Sequence, residues 1–145
     1  QVFFQLNDIT SCLYGSYVGQ GASIIGENPY VRKIILEYQR SLAQDFNVIA
    51  DGRDCGTEVF PFADYKFFLF ASSHTRALRW QQSQKRKGKN YTFEEALAWI
   101  EQKDKRDSER EIAPLKPAEN AIIIDNSNLT IEETLIKILT IFNKN

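Results

Sequence analysis

No methionine occurs in the 145 residues, histidine occurs once (His74) and cysteine twice (Cys12 and Cys55). Two cysteines form neither a disulfide framework nor a metal pattern, which favours a reducing compartment. A single histidine argues against a His-based zinc site. No apolar run approaches the roughly 18 residues that a spanning helix needs, so no membrane association is expected. Neither sign of charge dominates: 18 Lys+Arg stand against 19 Asp+Glu, a net charge of −1. That balance argues against a strongly basic nucleic-acid binder and leaves room only for local basic clusters. A phosphate-binding Gly-x-x-x-x-Gly-Lys-Ser/Thr loop is also missing, since Gly88-Lys89 is followed by Asn90. The chain opens on Gln1 with no signal-like leader, and with no methionine it reads as a piece of a longer product.

The composition, 43% hydrophobic and 26% charged, suits one modest folded domain. Three charge-poor runs read as buried strands: Val48-Ile49-Ala50, Lys66 to Ala71 and Ala121 to Ile124. Four helices are expected around them. The first has Asn28 as N-cap and Pro29 at N1, runs to about Gln44, and carries Val31, Ile34, Ile35, Tyr38 and Leu42 as its apolar stripe. The second follows Ser72-Ser73 and runs toward the basic stretch Lys85 to Lys89. The third and fourth open on capping boxes, Thr92 with Glu95 and Thr130 with Glu133. The fourth places Ile131, Leu135, Ile138, Leu139 and Phe142 on one side. Strands alternating with helices imply an α/β fold with a parallel sheet. Residues 1–27 differ: Val2 to Leu6 is a candidate strand, and Gly15, Gly19, Gly21 and Gly26 are expected to break any long element, leaving a small irregular subdomain.

In a parallel α/β sheet, ligands bind beyond the carboxyl ends of the strands. That rule points to Asp51-Gly52-Arg53-Asp54, to Ser72-Ser73 and to Asp125-Asn126. The first has two carboxylates flanking a guanidinium, suited to a phosphate on the Arg and to magnesium or a base amine on a carboxylate. A strand-end turn with a local ion pair is the plain alternative. In the third helix the inward stripe Phe93, Ala96, Leu97 and Ile100 continues as Lys103, Asp107 and Arg110, with Arg106 alongside. A face that is first apolar and then charged while still pointing inward resembles a core opening onto a polar ligand. A frayed helix end with i,i+4 pairs would look similar. Arg32 lies in the first turn of its helix, where the backbone favours anions, and Ser23 precedes it by nine residues. His74 reads as a surface or capping residue, and Cys55 as a small packed one. The basic run reads as a solvated loop or helix end, with a mobile flap over a polyphosphate as the functional reading and a nucleic-acid patch, disfavoured by the acidic balance, as a third.

These residues resemble bacterial cytidylate kinase, within the nucleoside monophosphate kinases. Asp51-Gly52-Arg53-Asp54-Cys55-Gly56-Thr57-Glu58-Val59-Phe60-Pro61 is similar to that family's D-G-R-D-x-G-T-x-V-F-P segment. Arg106 to Ala118 resembles its R-D-x-x-R-x-x-A-P-L-x-P-A segment, and Ala22-Ser23 with Pro29-Tyr30-Val31-Arg32 matches a third. The resemblance covers essentially the whole chain. It implies a P-loop kinase-like core with a small CMP-binding insert. Residues 1–27 would be part of that insert and 28–145 the rest of the core, with a lid around 76–92. The Gly-rich loop would lie before Gln1, so the chain would be N-terminally truncated and inactive alone.

The activity so implied is transfer of the ATP γ-phosphate to CMP or dCMP, with magnesium, by a cytoplasmic enzyme that is monomeric when intact. Ser23, Arg32 and Asp54 would recognise the cytosine edge. Asp107 would accept from the ribose 2′-hydroxyl, with Lys103 nearby, while Arg53 and Arg110 would hold the CMP phosphate. Arg106 would steady the transferring phosphoryl group, Asp51 would hold magnesium through water, and Arg76 and Arg79 would belong to the lid. Two departures stand out: Lys103 replaces the family's usual Arg, losing bidentate bonding, and the run Arg76-Ala77-Leu78-Arg79-Trp80 has fewer arginines than is typical. A non-catalytic CMP-binding remnant and a kinase for another pyrimidine monophosphate such as UMP are the alternatives.

Overall fold

Residues 1–14 and 16–143 are described by a computed structural model, the side chains at 14, 16, 17, 19, 20 and 23 excepted. They divide into two compact units, Gln1–Val48 and Ile49–Asn145.

In the first unit, β1 (Phe3–Phe4) pairs antiparallel with β2 (Asn7–Asp8). Gln5 and Leu6, at φ 47° and 66°, form the left-handed turn that a two-residue hairpin requires. The Asp8 carboxylate accepts from the Thr10 N–H at 2.9 Å, and Thr10 Oγ1 accepts from the Val2 N–H at 2.7 Å, closing the hairpin onto a 3-10 turn, Thr10–Tyr14. Helix α1 (Ser16–Gly26) then runs through Gly19 and Gly21. The expected break does not occur, because an interior glycine costs a helix only about 1 kcal/mol and does not forbid it. Helix α2 (Pro29–Leu42) starts where the sequence places it: the Asn28 side chain accepts from the N–H groups of Tyr30 and Val31. Its apolar stripe is left largely open, with Ile34, Ile35, Tyr38 and Leu42 all exposed.

In the second unit, β3 (Phe67–Phe70) and β4 (Ile122–Asp125) form a parallel ladder in which Phe67 faces Ile122 and Phe70 faces Asp125. Val48-Ile49-Ala50, expected as a third strand, joins no ladder, and Ile49 is fully exposed. An apolar run becomes a strand only when a neighbour takes up its backbone groups, and none among the described residues does so. Ile124 is fully buried, whereas Leu69, Phe70 and Ile123 are exposed, so the sheet is not covered on both faces.

Helix α3 (Ser73–Arg86) is capped by the Ser72 hydroxyl, which accepts from the Thr75 N–H, and ends at Gly88, whose φ of 75° closes the last turn. The chain folds back along α3 and enters α4 (Phe93–Glu109) through the Thr92/Glu95 capping box. The α3–α4 crossing is built on small residues: Ala77 and Ala96 are fully buried beside Ile100, with Trp80, Phe93 and Leu97 around them. Trp80 stacks on Trp99 at 4.7 Å and meets Tyr91 at 4.8 Å. Helix α5 (Ile131–Phe142) opens on the second capping box. Its buried residue is Thr134, whose hydroxyl donates to the Thr130 carbonyl, with Ile138 and Ile141 half-buried. The expected stripe fails here: Ile131, Leu135, Leu139 and Phe142 stay exposed, although Phe142 still meets the Tyr65 ring at 4.5 Å. No helix of the described residues is long and apolar enough to cross a membrane.

A side chain larger than Ala at position 96 must push the two helices apart. Ala96→Leu is expected to destabilise the protein by about 1–3 kcal/mol in equilibrium urea unfolding. The same change at Ala98, which is exposed, is expected to cost under about 0.5 kcal/mol.

A charged candidate site along helix α4

The Asp51-Gly52-Arg53-Asp54 loop is fastened from behind. Asp54's carbonyl accepts from the N–H groups of Glu58 at 2.9 Å and Val59 at 3.2 Å, forming a single π turn, Cys55–Val59, anchored by the buried Val59. Cys55 Sγ would lie 2.8 Å from a Cβ placed on Gly52, so any side chain there displaces the thiol. Burial first, then the charges of Asp54 and Asp51, raise the Cys55 pKa. The thiol is therefore kept protonated and is a poor nucleophile, as its reading as a packed residue implies.

With the loop fixed, Arg53 Nε reaches Asp107 Oδ2 at 3.2 Å across 54 residues of sequence. Lys103, one turn earlier on the same face of α4, is half-buried and holds its Nζ 5.6 Å from the Trp99 ring centre. Its pKa is lowered, by burial first and then by the Arg53 charge, with Asp107 and Asp104 partly restoring it. Beyond α4 the chain turns back through Ala113, whose φ is 50°, and the Leu115 N–H donates to the Asp107 carbonyl at 2.7 Å. Arg110 stands at the start of this turn, its Nε buried with no hydrogen-bond partner among the described residues. A buried donor left unsatisfied costs about 1–3 kcal/mol, a cost that an anionic acceptor would remove.

The carboxyl ends of β3 and β4 are stitched together nearby. The Asn126 N–H donates to the Phe70 carbonyl at 2.8 Å, and the Ser72 N–H to Ser127 Oγ at 2.9 Å. Ser127 donates its hydroxyl and its N–H to the Asp125 carboxylate, which lowers the Asp125 pKa. Arg76 Nε donates to the Ala71 carbonyl at 2.8 Å, and both terminal nitrogens donate to Asp104 at 2.6 Å. Arg79 grips the loop after β4, donating to Asn126 Oδ1 and to the carbonyls of Asn126 and Leu129.

Of the residues picked from the sequence, Arg53, Lys103 and Asp107 thus share one charged surface, Arg110 stands past them as the C-cap of α4, and Arg106 is exposed on that helix. Asp51 is exposed and Asp54 half-buried in the adjoining loop. Arg32 belongs to the first unit, where its Nη1 donates to the Gly26 carbonyl at 3.3 Å. Ser23 lies on α1 with its side chain outside the described residues. Sequence reasoning missed Asp104, Trp80 and Trp99. A signal existed for Asp104, which falls four residues after the buried Ile100, but its partner Arg76 is 28 residues away.

No group of three His, Cys, Asp or Glu side chains among the described residues could by itself hold a metal. Magnesium, however, keeps most of its waters and takes one or two carboxylates plus substrate phosphates. The exposed Asp51 carboxylate fits that use.

A family model for cytidylate kinase matches residues 1–144. The cytidylate kinase of Aeromonas hydrophila is 41% identical over 139 residues, covering 96% of this chain and 60% of that protein. That of Stutzerimonas stutzeri is 40% identical, covering 96% and 61%. That of Caldanaerobacter subterraneus is 39% identical over 145 residues, covering the whole chain and 65% of the relative. The chain therefore spans somewhat over half the length of the curated relatives it matches.

The lowered Lys103 pKa sets a pH test. The folded state holds the ammonium less tightly than the unfolded chain, so stability rises with pH from the depressed value up to about 10.5. Urea unfolding across the alkaline range is expected to show this rise in the wild type. Lys103→Met, which has no proton to release, is expected to flatten it.

Proposed function

This chain belongs to the cytidylate kinase family, and on that premise we propose that the protein carrying it transfers the γ-phosphoryl group of ATP to CMP or dCMP. The observation that best supports this reading is the buried Arg110 Nε, without a partner among the described residues, at the end of the helix whose Asp107 pairs with Arg53. A phosphate monoester supplies acceptors for both guanidinium groups at once. Asp107 retains a carboxylate oxygen for a ribose hydroxyl, with the Lys103 ammonium on the same helix face. Arg106, exposed on α4, is assigned to the group in transfer, and Arg76 and Arg79 to the ATP side.

The Asp54 carboxylate suits the exocyclic amine of cytosine, which donates, and opposes the carbonyl that uracil has in its place. Ser23 and Arg32 are assigned the carbonyl and ring nitrogen of cytosine on the resemblance alone. Asp51 would hold magnesium through water, and the ion would supply charge neutralisation on the phosphates when bound. The remaining catalysis is positioning and charge compensation, so no covalent nucleophile is needed. No Gly-rich phosphate loop lies within these 145 residues, so this chain by itself is expected to turn over negligible CMP. Free thiols at Cys12 and Cys55 support a reducing, cytoplasmic setting. We take the protein to act as a monomer, without nucleic-acid or membrane partners.

The test is nucleoside diphosphate formation by the full-length gene product with ATP and CMP, dCMP or UMP. CMP is expected to exceed UMP in kcat/KM by about 100-fold or more. Asp54→Asn, whose amide can donate to a carbonyl, is expected to narrow that ratio at least about tenfold, and chelating magnesium is expected to abolish turnover. A protein that binds CMP but transfers no phosphate would instead be a non-catalytic binding module.

A further inference from the structure

Every nitrogen of the Arg76 side chain is engaged, yet an N–H remains on each terminal nitrogen. The guanidinium is fixed at Ala71, the buried residue that directly follows β3. Its position is thus set by two elements at once, the end of the sheet through Nε and helix α4 through Asp104. Ion pairs open to solvent add little to stability, and here the two side chains are 32% and 40% exposed. What the bidentate pair supplies is direction: a fork held at both prongs cannot rotate about its long stem. Asp104 also stands next to Lys103 and three residues before Asp107 on α4.

Resting on the kinase reading above, we propose that Asp104 is a positioning residue for phosphoryl transfer: it holds Arg76 at the carboxyl end of β3 with its spare N–H groups free for a phosphate. Asp104 touches no substrate in this account and acts only through Arg76. The relevant quantity is the orientation of a cation at the moment of transfer, so its loss falls on kcat more than on binding of CMP.

The experiment is steady-state kinetics of the full-length gene product with ATP and CMP, alongside thermal unfolding. Asp104→Asn is expected to lower kcat about tenfold or more, with KM for CMP changed less than about threefold. Asp104→Glu is expected to recover part of that loss. The double exchange Arg76→Asp/Asp104→Arg restores an ion pair but moves the cation from α3 to α4. It is expected to return the melting temperature toward wild type while leaving kcat low. An active wild type with Asp104→Asn unaltered in kcat would overturn the inference alone, as would an exchange variant that regains kcat. A wild type that forms no CDP would overturn the kinase reading, and this inference with it.

Discussion

Like charges gathered on one helix face repel, and the second unit is arranged around interleaving them. Arg53, Lys103 and Arg76 are separated by two carboxylates of α4, Asp107 and Asp104, each in direct contact with one guanidinium. Two unit charges 4 Å apart interact by about 1 kcal/mol in water and about 4 kcal/mol near a protein surface. Without the carboxylates, three cations could not share this surface cheaply. With them, the Lys103 pKa is lowered only by the balance of burial and its neighbours. On the proposed reading, a ligand carrying phosphate would meet cations already in place, as transfer by positioning and charge compensation requires.

The placement of those charges follows from packing. Ala77 and Ala96 let α3 and α4 approach closely enough for Asp104 to reach Arg76. The Trp80–Trp99 stack, with Tyr91 against Trp80, extends the same crossing, and Trp99 lends its ring face to Lys103. The Arg53 end is set separately, by the π turn and the buried Val59. The site therefore rests on a helix crossing and a pinned loop, each stabilised away from the charges it presents.

Features written in a few neighbouring residues were legible in the sequence. The caps at Asn28, Ser72, Thr92 and Thr130 start their helices as read, and the parallel pairing of the strands near 67–70 and 122–125 emerges as expected. The turn of α4 from apolar to charged was also readable, because its helical period continues through Lys103 and Asp107. Features that depend on distant partners were not. Val48-Ile49-Ala50 has strand composition but no neighbour to pair with among the described residues, and the apolar stripes of α2 and α5 lie largely exposed. Glycines that suggested a broken segment sit within α1, since helix continuity depends on the whole window rather than on one residue. Arg76 and Arg79, read as lid cations, engage Asp104 and the loop after β4, contacts that no local pattern announces.

The most direct test of the central claim, that the charged face of α4 is a phosphate monoester site, is the affinity of the full-length gene product for CMP against that for cytidine. Calorimetric titration is expected to show CMP bound at least about 100-fold more tightly, a difference of about 2.7 kcal/mol carried by the phosphate. Arg110→Met is expected to remove most of that difference while leaving cytidine binding unchanged. Equal affinity for CMP and cytidine, or an Arg110→Met protein that still favours CMP to the full extent, would contradict the account.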